Sequence, residues 1–292
     1  STSNWINNIG ILQDPEGYKI RVVSDCILEI AGKQITLPLN IEIKQGWNLI
    51  SFPINGSIDA MQVIQPLIDA GVLYKIQDEK GNSIENWRNL GWRNGIGNFN
   101  AGEGYILQAN KSGVLTINDI VKSGYFYADR LETTYFKVDY EGNGFDHMNI
   151  NIVDLNESNF QVGDEIAVFD GKICVGAVKL TEMDFSNNAV SIPASASELN
   201  VTNGYTSGNS IELKVWNSET NQEIKLQPDV IEGNMIFNKQ ASVFVLLNNQ
   251  STNVKDEFNN LKIDMYPNPA SNNVTVRFSV LPEEGTKITF MD

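Results

Sequence analysis

Residues 5–30 recur at residues 92–117, at a fixed offset of 87 and without a gap. Trp5-Ile6-Asn7-Asn8-Ile9-Gly10 matches Trp92-Arg93-Asn94-Gly95-Ile96-Gly97. Glu16-Gly17-Tyr18 matches Glu103-Gly104-Tyr105, and Leu28-Glu29-Ile30 matches Leu115-Thr116-Ile117. Nine of the twenty-six aligned positions are identical, too many for chance in one register. A chain with such a period is expected to be built of stacked or tandem modules rather than one large core. The second copy carries a front half, residues 46–91, that the first copy lacks. The expectation is therefore a partial module at 1–41, a complete one at 42–122, and a chain whose beginning lies elsewhere.

The complete copy reads as α+β. Trp47, Leu49 and Ser51 alternate with Asn48, Ile50 and Phe52, and Pro53 ends that strand. Ser57 is the expected helix cap. Ala60, Val63, Ile64, Leu67 and Ile68 form an apolar stripe at helical spacing, and Gly71 supplies the left-handed exit. Pro66 within the stripe predicts a kink or two short helical pieces. Residues 72–76 and 83–87 read as a hairpin around Asp78-Glu79-Lys80-Gly81-Asn82, and 103–107 and 114–117 as the closing strands.

Residues 123–250 carry strand signal throughout. Runs at 135–140, 148–153, 164–169, 172–180, 189–192, 210–216, 223–226 and 242–247 are separated by turn residues about every ten positions, pointing to a β-sandwich of about nine strands. Asp170-Gly171 between two alternating runs is a hairpin signature. Residues 251–260 are polar and read as a linker. The fold class expected is mainly β with some α.

The last segment, 261–292, opens with an alternating run, breaks at Tyr266-Pro267-Asn268-Pro269, and resumes at Val274, Val276, Phe278 and Val280. The two prolines lack amide donors and fix φ, so the segment predicts two strands joined by a stiff corner. This pattern closely resembles the start of the C-terminal sorting domain on cargo of the Bacteroidota type IX secretion system. The family domain runs through further strands, whereas here the sequence stops at Asp292. Two upstream likenesses keep the same company. Residues 162–171, 174–177 and 208–216 are similar to a module commonly placed just before this sorting domain. The Gly-Trp-Asn-Leu-Ile-Ser and Glu-Gly-Tyr elements loosely resemble accessory units of secreted bacterial surface proteins. The resemblance implies passage across the outer membrane, a secreted or surface-attached location, and the type IX machinery as a partner. It also implies spacer or interaction modules with any catalytic domain elsewhere in the parent protein, or an accessory part of a secreted hydrolase.

The residues themselves exclude several chemistries. With 36 acidic against 21 basic residues the formal charge is −15, which opposes binding to nucleic acid or to an anionic membrane surface. No run reaches eighteen apolar residues, so no membrane-spanning helix is expected. Cys26 and Cys174 sit in apolar runs and read as separate buried thiols. His147 is the single histidine, without a nucleophile elbow, and reads as a strand-edge or turn residue. The chain is not expected to be an enzyme. Two binding candidates are left. Asp164, Glu165 and Asp170, with Asp139, Glu141 and Asp146 nearby in sequence, are hard oxygen donors for a calcium ion. Trp87, flanked by Asn86, Arg88 and Asn89, is the tryptophan expected to show a ring face to a glycan or cell-surface partner. Trp5, Trp47, Trp92 and Trp216 read as core.

Overall fold

The computed structural model describes residues 6–22, 24–118, 130–140, 146–198 and 201–247, and the backbone of 263–266 and 275–278. The chain is mainly β, with two α-helices among the described residues. It divides into two compact units, Ser1–Asn248 and Asn249–Asp292.

The first half of the larger unit runs β1 (Leu39–Ile43), β2 (Gly46–Ser51), β3 (Ser57–Asp59), α1 (Ala60–Asp69), β4 (Leu73–Gln77), β5 (Ser83–Asn86), β6 (Trp92–Asn94), β7 (Asn98–Asn100), β8 (Gly104–Ala109) and β9 (Gly113–Ile117). Five strands form an antiparallel sheet in the order β2-β8-β4-β5-β6, flanked by the pairs β1-β9 and β3-β7. Helix α1 buries Ala60, Val63, Ile64 and Leu67, the i, i+3, i+4, i+7 stripe. They pack with Ile76, Ile84, Phe99, Tyr105, Leu107 and Leu115. Its cap is Asp59, whose carboxylate accepts from the Met61 amide at 2.9 Å, and not Ser57, which lies in β3. Pro66 does not split the helix. Pro66 and Gln62, whose carbonyl loses the ring nitrogen as a donor, both lie on the exposed side, where water can replace the bond. Gly71 leaves the helix at φ 63°, and the Val72 amide donates back to the Leu67 carbonyl at 2.8 Å.

The second half runs β10 (His147–Val153), β11 (Glu165–Asp170), β12 (Ile173–Lys179), α2 (Glu182–Ser186), β13 (Ala189–Ser195), β14 (Glu212–Asn217), β15 (Gln222–Leu226), β16 (Asp229–Glu232) and β17 (Ser242–Leu246). Two four-stranded sheets, β13-β10-β17-β16 and β12-β11-β14-β15, enclose one apolar core in a sandwich-like arrangement. Met148, Ile150, Ile152, Val168, Leu213 and Val243 meet in that core. β10 and β17 pair in parallel, and Ala196 makes a parallel bridge with Tyr205. Gly176 lets the two sheets approach at β12 and β13, since a Cβ there would lie 2.5 Å from the Pro193 carbonyl oxygen. The hairpin at Asp170-Gly171 is present, with Gly171 at φ 59°.

Residues 135–140 differ from expectation, for they form no strand. They are a strap across the outer face of β11, β12 and β14. Phe136 is buried against Phe169 and Cys174, and the Tyr135 ring stacks on Trp216 at 3.7 Å. Alternating aromatic residues serve a strap as well as a strand, because both lay every second side chain on a flat apolar surface.

In the smaller unit, β18 (Ile263–Tyr266) and β19 (Thr275–Phe278) pair antiparallel, with Ile263 opposite Phe278. The corner Pro267-Asn268-Pro269, the 251–260 linker, Trp5 and Glu141 lie outside the described residues.

Candidate functional site

Strand β10 is buried along its whole length, although its sequence alternates polar and apolar. Met148, Ile150 and Ile152 point into the sandwich core. Asn149 and Asn151 point the other way and are fully buried, because the five-stranded sheet of the first half lies against them. A polar seam results. From β4 and β5 come Lys75, Gln77, Ser83 and Glu85, all buried. From the facing sheet come Asn149, Asn151, Ser191 and Ser242.

Glu85 is the hub. Its carboxylate accepts from the Ser83 hydroxyl at 2.9 Å, the Asn151 amide at 2.9 Å and the Ser242 hydroxyl at 2.6 Å. Lys75 Nζ lies 3.9 Å from it and donates to Ser242 Oγ at 2.7 Å, with the Ala241 and Gln240 carbonyls at 3.3 and 3.4 Å. Burial pushes the Lys75 ammonium down to about 8, against the pull of Glu85. The Gln77 side-chain amide donates to Asn149 Oδ1, and Asn149 donates to the Gly81 carbonyl at 2.9 Å. A buried polar layer tolerates only the register that satisfies its members, so this seam fixes how the two sheets meet.

Trp87 lies at the end of this seam, not on the surface. It is 6 % exposed, meets Phe244 edge to face at 5.7 Å, and packs with Val153 and Ala189. Its polar neighbours in sequence point outward, where Arg88 pairs with Glu232 on the rim of the facing sheet. Among the described residues the tryptophan most open to solvent is Trp47, half exposed beside a groove of about 310 Å³ lined by Lys19, Leu49, Ile106 and Gln240. Trp92 is partly buried on the first-half core, and Trp216 lies under Tyr135. Nothing in the order of residues around Trp47 and Trp87 separates the two, since the answer depends on which sheet face a second module covers.

The three acids considered for calcium do not converge. Asp164 caps a loop, accepting from the Ser218 amide and hydroxyl at 2.8 Å each. Glu165 anchors the strap through the Thr134, Tyr135 and Phe136 amides. Burial alone would raise its carboxyl, but these donors outweigh it and hold the group below its ordinary range. Asp170 accepts from the Thr206 amide at 2.8 Å and the Asn209 side chain at 3.0 Å. Asp146 pairs with Lys239 at 2.9 Å and Lys19 at 3.5 Å. Among the described residues no group of three His, Cys, Asp or Glu side chains could hold a metal ion.

His147 opens β10 as a buried side chain, with the Gly81 backbone against its ring. Burial pushes it down to about 4, so it is neutral at pH 7. Burial pushes the Cys174 thiol up to about 11, leaving it protonated and a poor nucleophile. Cys26, expected in a buried strand, is exposed and outside any strand. Asp78, pushed up to about 6 chiefly by burial, spends its oxygens on the Lys80 and Asn82 amides of its own turn. A concavity of about 520 Å³ is lined in part by Asp170 and Glu212, and Glu212 is paired with Lys225 at 2.5 Å. No described helix is long and apolar enough to cross a membrane.

No protein-family model, curated protein or solved structure matches the chain.

Proposed function

We propose that this chain is a non-catalytic region of a secreted or cell-surface modular protein, a stiff spacer or interaction unit followed by a type IX sorting signal. The pattern of 261–280, with Tyr266-Pro267-Asn268-Pro269 between two alternating runs, carries this reading. Two further observations support it. β18 and β19 pair with each other in a unit separate from 1–248, as a detachable signal requires. Among the described residues, buried Glu165, Asp164 and Glu85 are engaged in holding a strap, a turn and a seam, which is the use a spacer has for them.

Residues 249–292 fused behind a periplasmic reporter, in a host with the type IX machinery, should bring the reporter to the cell surface or medium. Replacing Pro267 and Pro269 with alanine should return it to the periplasm. Equal periplasmic retention with and without the intact segment would contradict the proposal.

A further inference from the structure

Residues 6–18 reproduce the local bonding of residues 93–105 position by position. Asn7 accepts from the Gly10 amide at 2.8 Å and donates to its carbonyl at 3.0 Å. Asn94 does the same with Gly97, at 2.8 Å in both directions. Gly10 and Gly97 hold φ at 83° and 84°. The Tyr18 hydroxyl donates to Glu16 at 2.8 Å and accepts from the Gln13 amide at 2.8 Å. The Tyr105 hydroxyl donates to Glu103 at 2.7 Å and accepts from the Asn100 amide at 3.0 Å.

The copies part in burial and in strand formation, for the counterparts of β8 and β9 form no strand in the first copy. Leu12, Ile20, Val22, Leu28 and Ile30 are 52, 65, 52, 61 and 69 % exposed. Their counterparts Phe99, Leu107, Ala109, Leu115 and Ile117 are all 4 % exposed or less. In the complete copy these positions are covered by the front half: β2 and β4 pair with β8, β1 pairs with β9, and α1 packs in the same core. The front half also bonds the repeated turns, with the Ala60 amide donating to the Gly97 carbonyl at 2.9 Å and the Phe52 amide to Glu103 at 3.2 Å. Among the described residues the first copy meets the second along β2, where Glu16 bridges Ile50 and the Gly17 amide donates to the Leu49 carbonyl at 3.0 Å.

We infer that residues 6–22 and 24–30 are a docking face, with its turns preformed, for a strand–helix–hairpin segment patterned like residues 39–91. The turns at 7–10 and 13–18 are already set, whereas 17–22 and 24–30 form no strand, so docking must cover the apolar face and build the counterparts of β8 and β9. Five exposed apolar side chains at the positions that form the other copy's core define the occupant, because only a front half places β1-, β2-, β4- and α1-like elements against all five. The inference rests on the internal repeat and not on the export reading.

The test places residues 39–91 ahead of Trp5 in the full chain and follows amide exchange at 17–30. Protection there should rise on the order of 100-fold over the unaltered chain. Ile20→Asp with Leu28→Asp should leave the unaltered chain's unfolding midpoint in place, yet abolish the new protection in the extended one. Exchange at 17–30 unchanged by the added segment would overturn the inference. So would a lower midpoint for the double variant of the unaltered chain, which would mean the face is already covered. Protection of the unaltered chain that rises with protein concentration would assign the face to a second copy, and likewise overturn it.

Discussion

Replacing Lys75 with methionine should destabilise the larger unit by about 3–5 kcal/mol, the usual effect of removing one partner of a buried ion pair. Methionine fills much the same volume, so the loss is electrostatic. Glu85 would remain buried with its charge, holding Ser83, Asn151 and Ser242 but no cation. Converting Glu85 to glutamine as well removes the stranded charge and should recover a large part of the loss. Urea unfolding of the two single variants and the double gives the comparison directly. The pH dependence reports the opposing effect, the cost of burying the ammonium. Lys75 titrates near 8 when folded and about 10.4 when unfolded. Between these values the unfolded chain holds a proton that the folded chain has released, so this group's contribution to stability rises with pH across that window. Lys75→Met should lack that rise. A loss below about 1 kcal/mol with an unchanged pH profile would show that Lys75 is solvated and the seam open.

Trp87→Ala should cost about 3–5 kcal/mol, the range for truncating a buried aromatic side chain. The indole fills the apolar end of the seam between Phe244, Val153 and Ala189, and no neighbour on either sheet can close over the space without shifting a strand. Trp47→Ala, at a half-exposed ring, should cost less than about 1 kcal/mol. The contrast in urea midpoints between two tryptophans of one module distinguishes a structural seam from a binding platform at Trp87. Equal and small losses would mean that the ring at 87 is free, as its polar flanks in sequence suggest.

Those flanks explain what was legible and what was not. The apolar spacing of α1, the alternation of β2 and the turn at Asp170-Gly171 are local signals, and each produced the element expected. Asn149 and Asn151 alternate with isoleucine as a solvent-facing strand would, and Lys75 and Gln77 alternate in the same way on β4. A period of two reports that successive side chains face opposite ways. It carries no information on whether the polar side meets water or a second polar sheet. Hence the seam, and with it the burial of Trp87, was invisible until the two sheets were seen face to face. The acids at 164, 165 and 170 were misleading for a related reason. Loop carboxylates that accept backbone amides have the same composition as calcium ligands, and only the direction of their oxygens separates the roles. The repeat at offset 87, by contrast, could be read without any geometry, and its two copies share their turn bonding.

The two halves of the larger unit are joined by satisfied polar groups into one mechanical body. Native-state hydrogen exchange in rising urea tests this most directly, reading Ile76 and Leu107 in the first core against Ile150 and Val245 in the second. The predicted result is that all four amides merge onto one opening with a common free energy and urea slope. Opening of Ile76 and Leu107 several kcal/mol below Ile150 and Val245 would contradict it, and would make the seam a contact between independent modules.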